Sequence, residues 1–358
     1  MISKACLRRL ARYTEAAGPG VLLFSIREQS VNNPATLRTE NPAPPQTGSV
    51  SVVRRIGPWL VGIAILVVVA TRIPFDAFRS AVGRGPHLLL AAVDLGVTAL
   101  ILCSDAVSTW FGLVALRMRR PLREVIAVRG ATYLLFLLNY ALGQGGFGYY
   151  LHRSGIAPLR AVGATLFLIG TNLATLLLVT TVAWGVHGAA AADPRLWLVL
   201  QIGCAAFAAY LVVIAVAPRS LAERGVLAPL FDARIAGHAV AMVGRLPHVA
   251  AMVIGIWLAM RAWGIAVPFD VGLAVMPLVV IASVLPISPA GLGTTQAALV
   301  YFFQDYAVGA TGADRAAAVL AFAIVHFVYA VLAQLLVGLV CAPFARLIRA
   351  PDLGRAAA

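Results

Sequence analysis

The chain has 358 residues, of which 61% are hydrophobic and only 12% charged, proportions that exclude a soluble globular domain and place it among polytopic helical membrane proteins. Its formal net charge of +14 comes almost wholly from arginine, since Lys4 is the only lysine. In a membrane chain that excess points to cytoplasmic loops and anionic headgroups, with no nucleic acid as partner.

Residues 1–50 carry Lys4, Arg8, Arg9 and Arg12, then a Pro-, Asn- and Thr-rich run through Pro42, Pro44 and Pro45. This is the composition of a disordered cytoplasmic tail, or of a start codon assigned too early. Residues 51–345 form the membrane domain, and 346–358 a short basic tail. Arg54 and Arg55 precede the first span, Ile56 to Thr71, and hold its amino end in the cytoplasm. The second span, His87 to Leu116, runs into the densest basic cluster, Arg117, Arg119, Arg120, Arg123 and Arg129. Within it lie two acids, Asp94 and Asp105, eleven residues apart and so on one helical face, with Thr98, Ser108 and Thr109 near the same stripe. Acids are costly in lipid, which makes these two candidates for proton coupling or for binding an amine or sugar. The alternative is that each pairs with an arginine or caps a broken helix.

Ala131 to Leu151 contains Asn139, Gly143, Gln144, Gly145, Gly146 and Gly148, four glycines in six residues, which predicts an interrupted helix. If this stretch crossed the bilayer completely, Arg153 and Arg160 would lie outside; a re-entrant hairpin returns them to the cytoplasm beside Arg129. There Arg129 and Arg153 are candidates to attract anionic headgroups, because a guanidinium can grip phosphate with two parallel hydrogen bonds. Spans follow at Ala161 to Ala183 and Leu196 to Ala217. Leu221 to Arg245, with Arg234, His238 and Arg245 near one face, predicts an amphipathic helix on the cytoplasmic surface. The remaining spans are Leu246 to Trp263, Val271 to Pro286, Leu292 to Val308 and Ala316 to Pro343. The expected fold is therefore all-α, with about eight transmembrane helices plus a re-entrant hairpin and both termini cytoplasmic. His326, inside the last span, is a further titratable group.

Leu285 to Phe303 is where the apolar pattern stops abruptly. Pro286 and Pro289 lack amide donors, Gly291 and Gly293 admit unusual backbone angles, and Ser288, Thr294, Thr295 and Gln296 bring hydrogen-bonding groups. Unwound backbone survives at membrane depth only where protein or water satisfies it, so this element either lines an internal cavity or is a kinked helix packed on its glycine faces. Gly146-Phe147-Gly148 and Gly291-Leu292-Gly293 each close an apolar run, which points to an inverted internal repeat with a binding site between the two elements.

The octapeptide Pro286-Ile287-Ser288-Pro289-Ala290-Gly291-Leu292-Gly293, between an apolar helix and Gln296, resembles the signature of the lysylphosphatidylglycerol synthase transmembrane region family, the flippase-like integral membrane proteins. The resemblance spans about residues 55–345 and implies the membrane part alone, without an aminoacyl-transferase domain. It implies a bacterial inner-membrane protein that moves a phospholipid or a polyprenyl-phosphate glycolipid between leaflets, with a separate synthase as a partner. Gln296 stands where family members usually carry an acid, so this element would act without that negative charge.

The four cysteines are widely separated and no metal-ligand spacing, nucleotide loop or nucleophile triad occurs, so no cofactor and no metal is expected. The expected activity is translocation with no chemical step, the headgroup being carried past the backbone and hydroxyls of the two glycine elements. A membrane-embedded lipid-modifying enzyme and a non-catalytic scaffold for a synthase are the alternatives.

Overall fold

The computed structural model describes residues 50–138, 140–187, 194–284 and 291–347. Asn139, Pro286, Ser288 and Pro289, and nearly all of both tails, lie outside the described residues. The chain divides into two units, Met1–Leu60 and Val61–Ala358, and every contact below lies within the second.

The described residues are helical, with no strand. In order the helices are α1 (Val50–Ala70), α2 (Phe75–Arg84), α3 (His87–Ala115), α4 (Leu122–Phe136), α5 (Tyr140–Arg153), α6 (Pro158–His187), α7 (Pro194–Val216), α8 (Arg219–Ala222), α9 (Ala228–Trp263), α10 (Phe269–Val284), α11 (Thr294–Phe303) and α12 (Gly312–Leu347). Among these, α3, α6, α7, α9 and α12 are long and apolar enough to cross a bilayer, and Leu60–Ala70 with Phe75–Arg84, bent by 99°, makes a sixth span if the pair counts as one. Leu198, Val199, Ile202 and Val212 stand exposed on α7, as lipid-facing side chains do. The protein is an all-α polytopic membrane protein.

The expected count of eight spans needs correction because two of them are halves of one hairpin. Helices α10 and α11 have 16 and 10 residues. At 1.5 Å per residue they reach about 24 and 15 Å, short of the roughly 30 Å hydrocarbon layer. Their outer ends meet, Ala266 N–H donating to the Tyr306 carbonyl at 3.1 Å, and their inner ends meet where the Thr294 hydroxyl donates to the Ala282 carbonyl at 3.2 Å. The turn between them needs left-handed backbone: Gly291 has φ 72° and Gly293 φ 84°. Gln296 closes the tip, its Oε1 accepting from Gly293 N–H at 2.6 Å, so this buried amide satisfies backbone at membrane depth.

Helices α4 and α5 form the other hairpin. Its mouth is tied by the Tyr150 hydroxyl donating to Glu124 Oε2 at 2.9 Å and by Arg120 donating to the Ser154 carbonyl. The chain turns back between α4 and α5, as a re-entrant hairpin would, with Arg117 before its mouth and Arg153 and Arg160 after it. The expected interruption at the glycines is absent: α5 runs unbroken through Gly143, Gly145, Gly146 and Gly148, and the reversal comes before it, between Phe136 and Tyr140. Packing overrides the low helix propensity of glycine, because a Cβ at Gly143 would strike the Phe136 ring and one at Gly146 the Leu135 side chain.

The two hairpins open at opposite faces. Leu116, Arg117, Ile156, Arg160 and Asp232 converge around a cavity of ≈ 480 Å³, which puts the mouth of α4–α5 beside the start of α9. Helix α9 ends at Trp263, whose ring lies 5.6 Å from that of His87 at the start of α3, and the α10–α11 hairpin opens there. The chain thus contains two helix–hairpin–helix units of opposite direction: α3, α4–α5, α6 and α9, α10–α11, α12. Contacts follow the same inversion, since α3 packs on α9, α4 on α12 and α10 on α6. This order of elements and contacts is what an inverted repeat would give, although α5 is not broken at its glycines. At the centre α3 and α9 cross closely, small residues letting the backbones approach: Gly237 faces Ala115, Gly244 faces Phe111 and Gly255 faces Val97.

These glycines give a direct test. Gly145 is exposed with open space around it, so Gly145→Ala should leave thermal unfolding in detergent unchanged or raise stability by up to about 1 kcal/mol. Gly293→Ala must adopt positive φ and strike the Gly62 carbonyl, and should cost at least about 1–2 kcal/mol. Equal melting temperatures for the two variants would contradict this hairpin geometry.

Candidate functional site

Asp105 sits near the middle of α3 and is 3% exposed. Its Oδ2 accepts from Arg129 Nε of α4 at 2.5 Å and its Oδ1 from Arg245 Nη1 of α9 at 3.0 Å. His248, one turn along α9, has Nε2 at 3.9 Å from the same oxygen, too far for a hydrogen bond, and Nδ1 at 3.4 Å from the Ser104 hydroxyl. Both arginines are buried, at 5% and 4% exposure. With His248 neutral the group carries two positive charges and one negative, a net +1 enclosed by protein.

Each arginine is held by more than the carboxylate. The Arg129 guanidinium lies between the Phe136 and Phe147 rings, 5.5 and 5.4 Å from their centroids, where the ring faces favour a cation. Its Nη1 also donates to Gln144 Oε1 at 3.4 Å, and Gln144 donates onward to the Tyr140 hydroxyl at 2.9 Å. Arg245 reaches the Leu168 carbonyl of α6 at 3.5 Å, while its Nε is buried with no partner among the described residues. A buried N–H left unmatched costs about 1–3 kcal/mol, more when charged, so an incoming acceptor would gain what the resting state lacks.

Of the expected site residues, the fold brings together Asp105, Arg129 and Gln144. Arg153 is exposed near the hairpin mouth and Arg129 is buried, so the two do not act as one surface cluster. Gly146 and Gly148 pack inward, on Leu135 and on Thr165 of α6, and Gly291 packs on Ser283. Thr294 bonds the Ala282 and Gly291 carbonyls, Gln296 caps α11, and the Thr295 hydroxyl is buried without a partner among the described residues. Asp94 points to α12, where His326 Nδ1 lies 2.8 Å from its Oδ1.

Arg245 and His248 are the residues that reading the sequence misses. The expected surface helix up to Arg245 is instead the first part of α9, and His238 and Arg245 are buried. The backbone of Arg234 leaves the helix there, with φ 54°, and its carbonyl accepts from His238 Nδ1–H at 2.7 Å. The available signal was Arg245 itself, a lone cation between the apolar runs 239–244 and 249–260, which reads as an intramembrane charge once the span begins before it.

Comparison with protein-family models and with curated proteins finds no match for this chain.

Breaking the cluster from one side should cost more than dismantling it. Asp105→Asn leaves two buried guanidiniums uncompensated and should destabilise the protein by about 3–5 kcal/mol. Asp105→Asn combined with Arg129→Met leaves only one, and its thermal unfolding temperature should lie above that of Asp105→Asn alone. The opposite ranking would mean that Asp105 does not balance Arg129.

Proposed function

We propose that this protein translocates a lipid whose headgroup carries phosphate, an anionic phospholipid or a polyprenyl-phosphate glycolipid, between the leaflets of a bacterial inner membrane. The observation that carries the reading is the excess positive charge buried around Asp105, with the Arg245 Nε donor unmatched. An enclosed net charge is costly, and a phosphate monoanion both neutralises it and offers acceptor oxygens in the geometry that a guanidinium fork fits. Asp105 holds the two arginines in place between passages and yields one of them to the headgroup. The acyl or prenyl tails stay in the bilayer.

The position of the cluster adds support. It joins α3 and α9, the corresponding first helices of the two inverted units, and transporters built from such units place their sites at that interface and expose them alternately to the two sides. The arginine-rich face is cytoplasmic by the positive-inside rule, with both termini on that side, and Arg153 and its neighbours draw anionic lipid towards the α4–α5 mouth. A separately encoded synthase supplies the lipid. No nucleotide loop occurs in the sequence, so movement runs downhill or uses an ion gradient.

Headgroup exposure of labelled phosphatidylglycerol in proteoliposomes tests this. Arg245→Gln and Arg129→Gln should slow exposure by roughly tenfold or more, since a charge-assisted hydrogen bond is worth about 1.5–3 kcal/mol. Arg245→Lys should keep part of the rate, and a glycolipid without phosphate should not be moved. A folded Arg245→Gln variant with the wild-type rate would refute the assignment of the phosphate to this centre.

A further inference from the structure

Asp94 lies eleven residues before Asp105 on α3, about 16 Å away along the helix axis, and its surroundings differ in kind. It is 1% exposed. Oδ1 meets His326 Nδ1 of α12 at 2.8 Å, and Oδ2 is buried with no partner among the described residues. Five guanidiniums of the elements around it are engaged with other groups. Arg129 of α4 and Arg245 of α9 hold Asp105, and Arg261 of α9 lies over the Trp257 ring. Arg84 of α2 donates to the Ser80 carbonyl, and Arg315, near the start of α12, pairs with Asp305 of the segment after α11. Other titratable groups near the α3–α12 seam include His87 and Tyr329, Cys103 of α3 and Cys341 of α12, with Tyr133 of α4 and Tyr306 further off.

Charge arithmetic follows from that set. Asp94 as carboxylate with neutral His326 leaves a buried net charge of −1, and one added proton makes the pair neutral whichever atom carries it. Asp105 is matched by groups that never lose their charge, whereas Asp94 is matched by an imidazole, the one side chain that ordinarily exchanges its proton near neutral pH.

The seam also holds two further groups with exchangeable protons. His87 Nε2 is 2.8 Å from the Val82 carbonyl, so it carries the hydrogen, and Nδ1 is left to accept from the Tyr329 hydroxyl at 3.0 Å. Tyr329 stands one turn from His326 on α12, and His326 stacks on Phe322 at 5.2 Å. Two imidazoles and a phenol thus step inward from the face at which α3 begins, the one opposite the arginine-rich face.

We propose that Asp94 and His326 form a proton-binding site, loaded through His87 and Tyr329, whose occupancy couples a proton gradient to lipid movement. It rests on the translocator reading above. The proton comes from water at the His87 face, is held between Asp94 Oδ1 and His326 Nδ1, and leaves to the opposite side when α3 and α12 part; no other bond forms or breaks. Because α3 carries both Asp94 and Asp105, a shift of α12 against α3 on proton binding also moves the carboxylate that holds Arg129 and Arg245.

Two measurements on the full chain test it. In proteoliposomes containing phosphatidylglycerol, an inward proton gradient should raise the wild-type rate of headgroup exposure severalfold. The ratio of rates with and without the gradient should fall to unity in Asp94→Asn and in His326→Gln, and Tyr329→Phe should reduce it. In infrared difference spectra of the purified protein, recorded between about pH 5 and pH 8 to bracket imidazole titration, a carboxyl band should change in wild type and vanish in Asp94→Asn. A wild-type gradient ratio in Asp94→Asn, or a band that survives that substitution, overturns the proton site and leaves translocation standing. Absence of any lipid movement by wild type overturns the translocator reading instead, and the infrared titration then decides on its own whether Asp94 binds the proton.

Discussion

A carboxylate gripped by two guanidiniums in the membrane interior constrains everything around it. Enclosing the two arginines without Asp105, or Asp105 without at least one of them, would cost several kcal/mol, because a lone ion in a low-dielectric interior is poorly stabilised. The pairings run from α3 to α4 and from α3 to α9, so one side chain ties the first inverted unit together internally and joins it to the second. Two conditions make this geometry reachable. The crossing of α3 and α9 must be tight, which the glycines of α9 permit, and α4 must be short and turn back, which its hairpin provides.

The hairpins explain how so apolar a chain keeps polar groups at depth. A helix that turns back short of the far surface leaves its tip backbone to be satisfied by protein, and the two tips do this differently. At α4–α5 the Leu137 and Leu138 amides bond back to the Tyr133 and Leu135 carbonyls. At α10–α11 the two left-handed glycines redirect the chain and Gln296 takes the place of a backbone acceptor. The Gln296 Oε1 is engaged in this capping, and the charge of the centre comes from α3, α4 and α9.

The two acids of α3 show how surroundings assign chemistry to one residue type. Both are buried on one helix, yet Asp105 faces permanent cations and Asp94 faces an imidazole. A single rigid helix carrying a fixed-charge cluster and a protonatable pair is a simple way for events at one to be felt at the other, since each also grips a different neighbouring element.

Hydropathy alone placed α3, whose expected limits His87 to Leu116 match His87–Ala115, and it also placed α6, α7 and the body of α12. The intramembrane acids and the return of the chain between Arg120 and Ser154 were legible as well, because the cost of charge in lipid is a local property that composition records. Which helices break was not legible: glycine-rich α5 stays whole because Phe136 and Leu135 occupy the space that Cβ atoms would need, while the α10–α11 segment, read as two spans, folds back on itself. Nor was the partner of Asp105 in the second half, since Arg245 lies 140 residues away and its burial depends on where α9 starts. Spans and their charges follow from the transfer energy of each side chain taken singly, but the centre arises only when two inverted units pack and charges distant in the chain must neutralise one another.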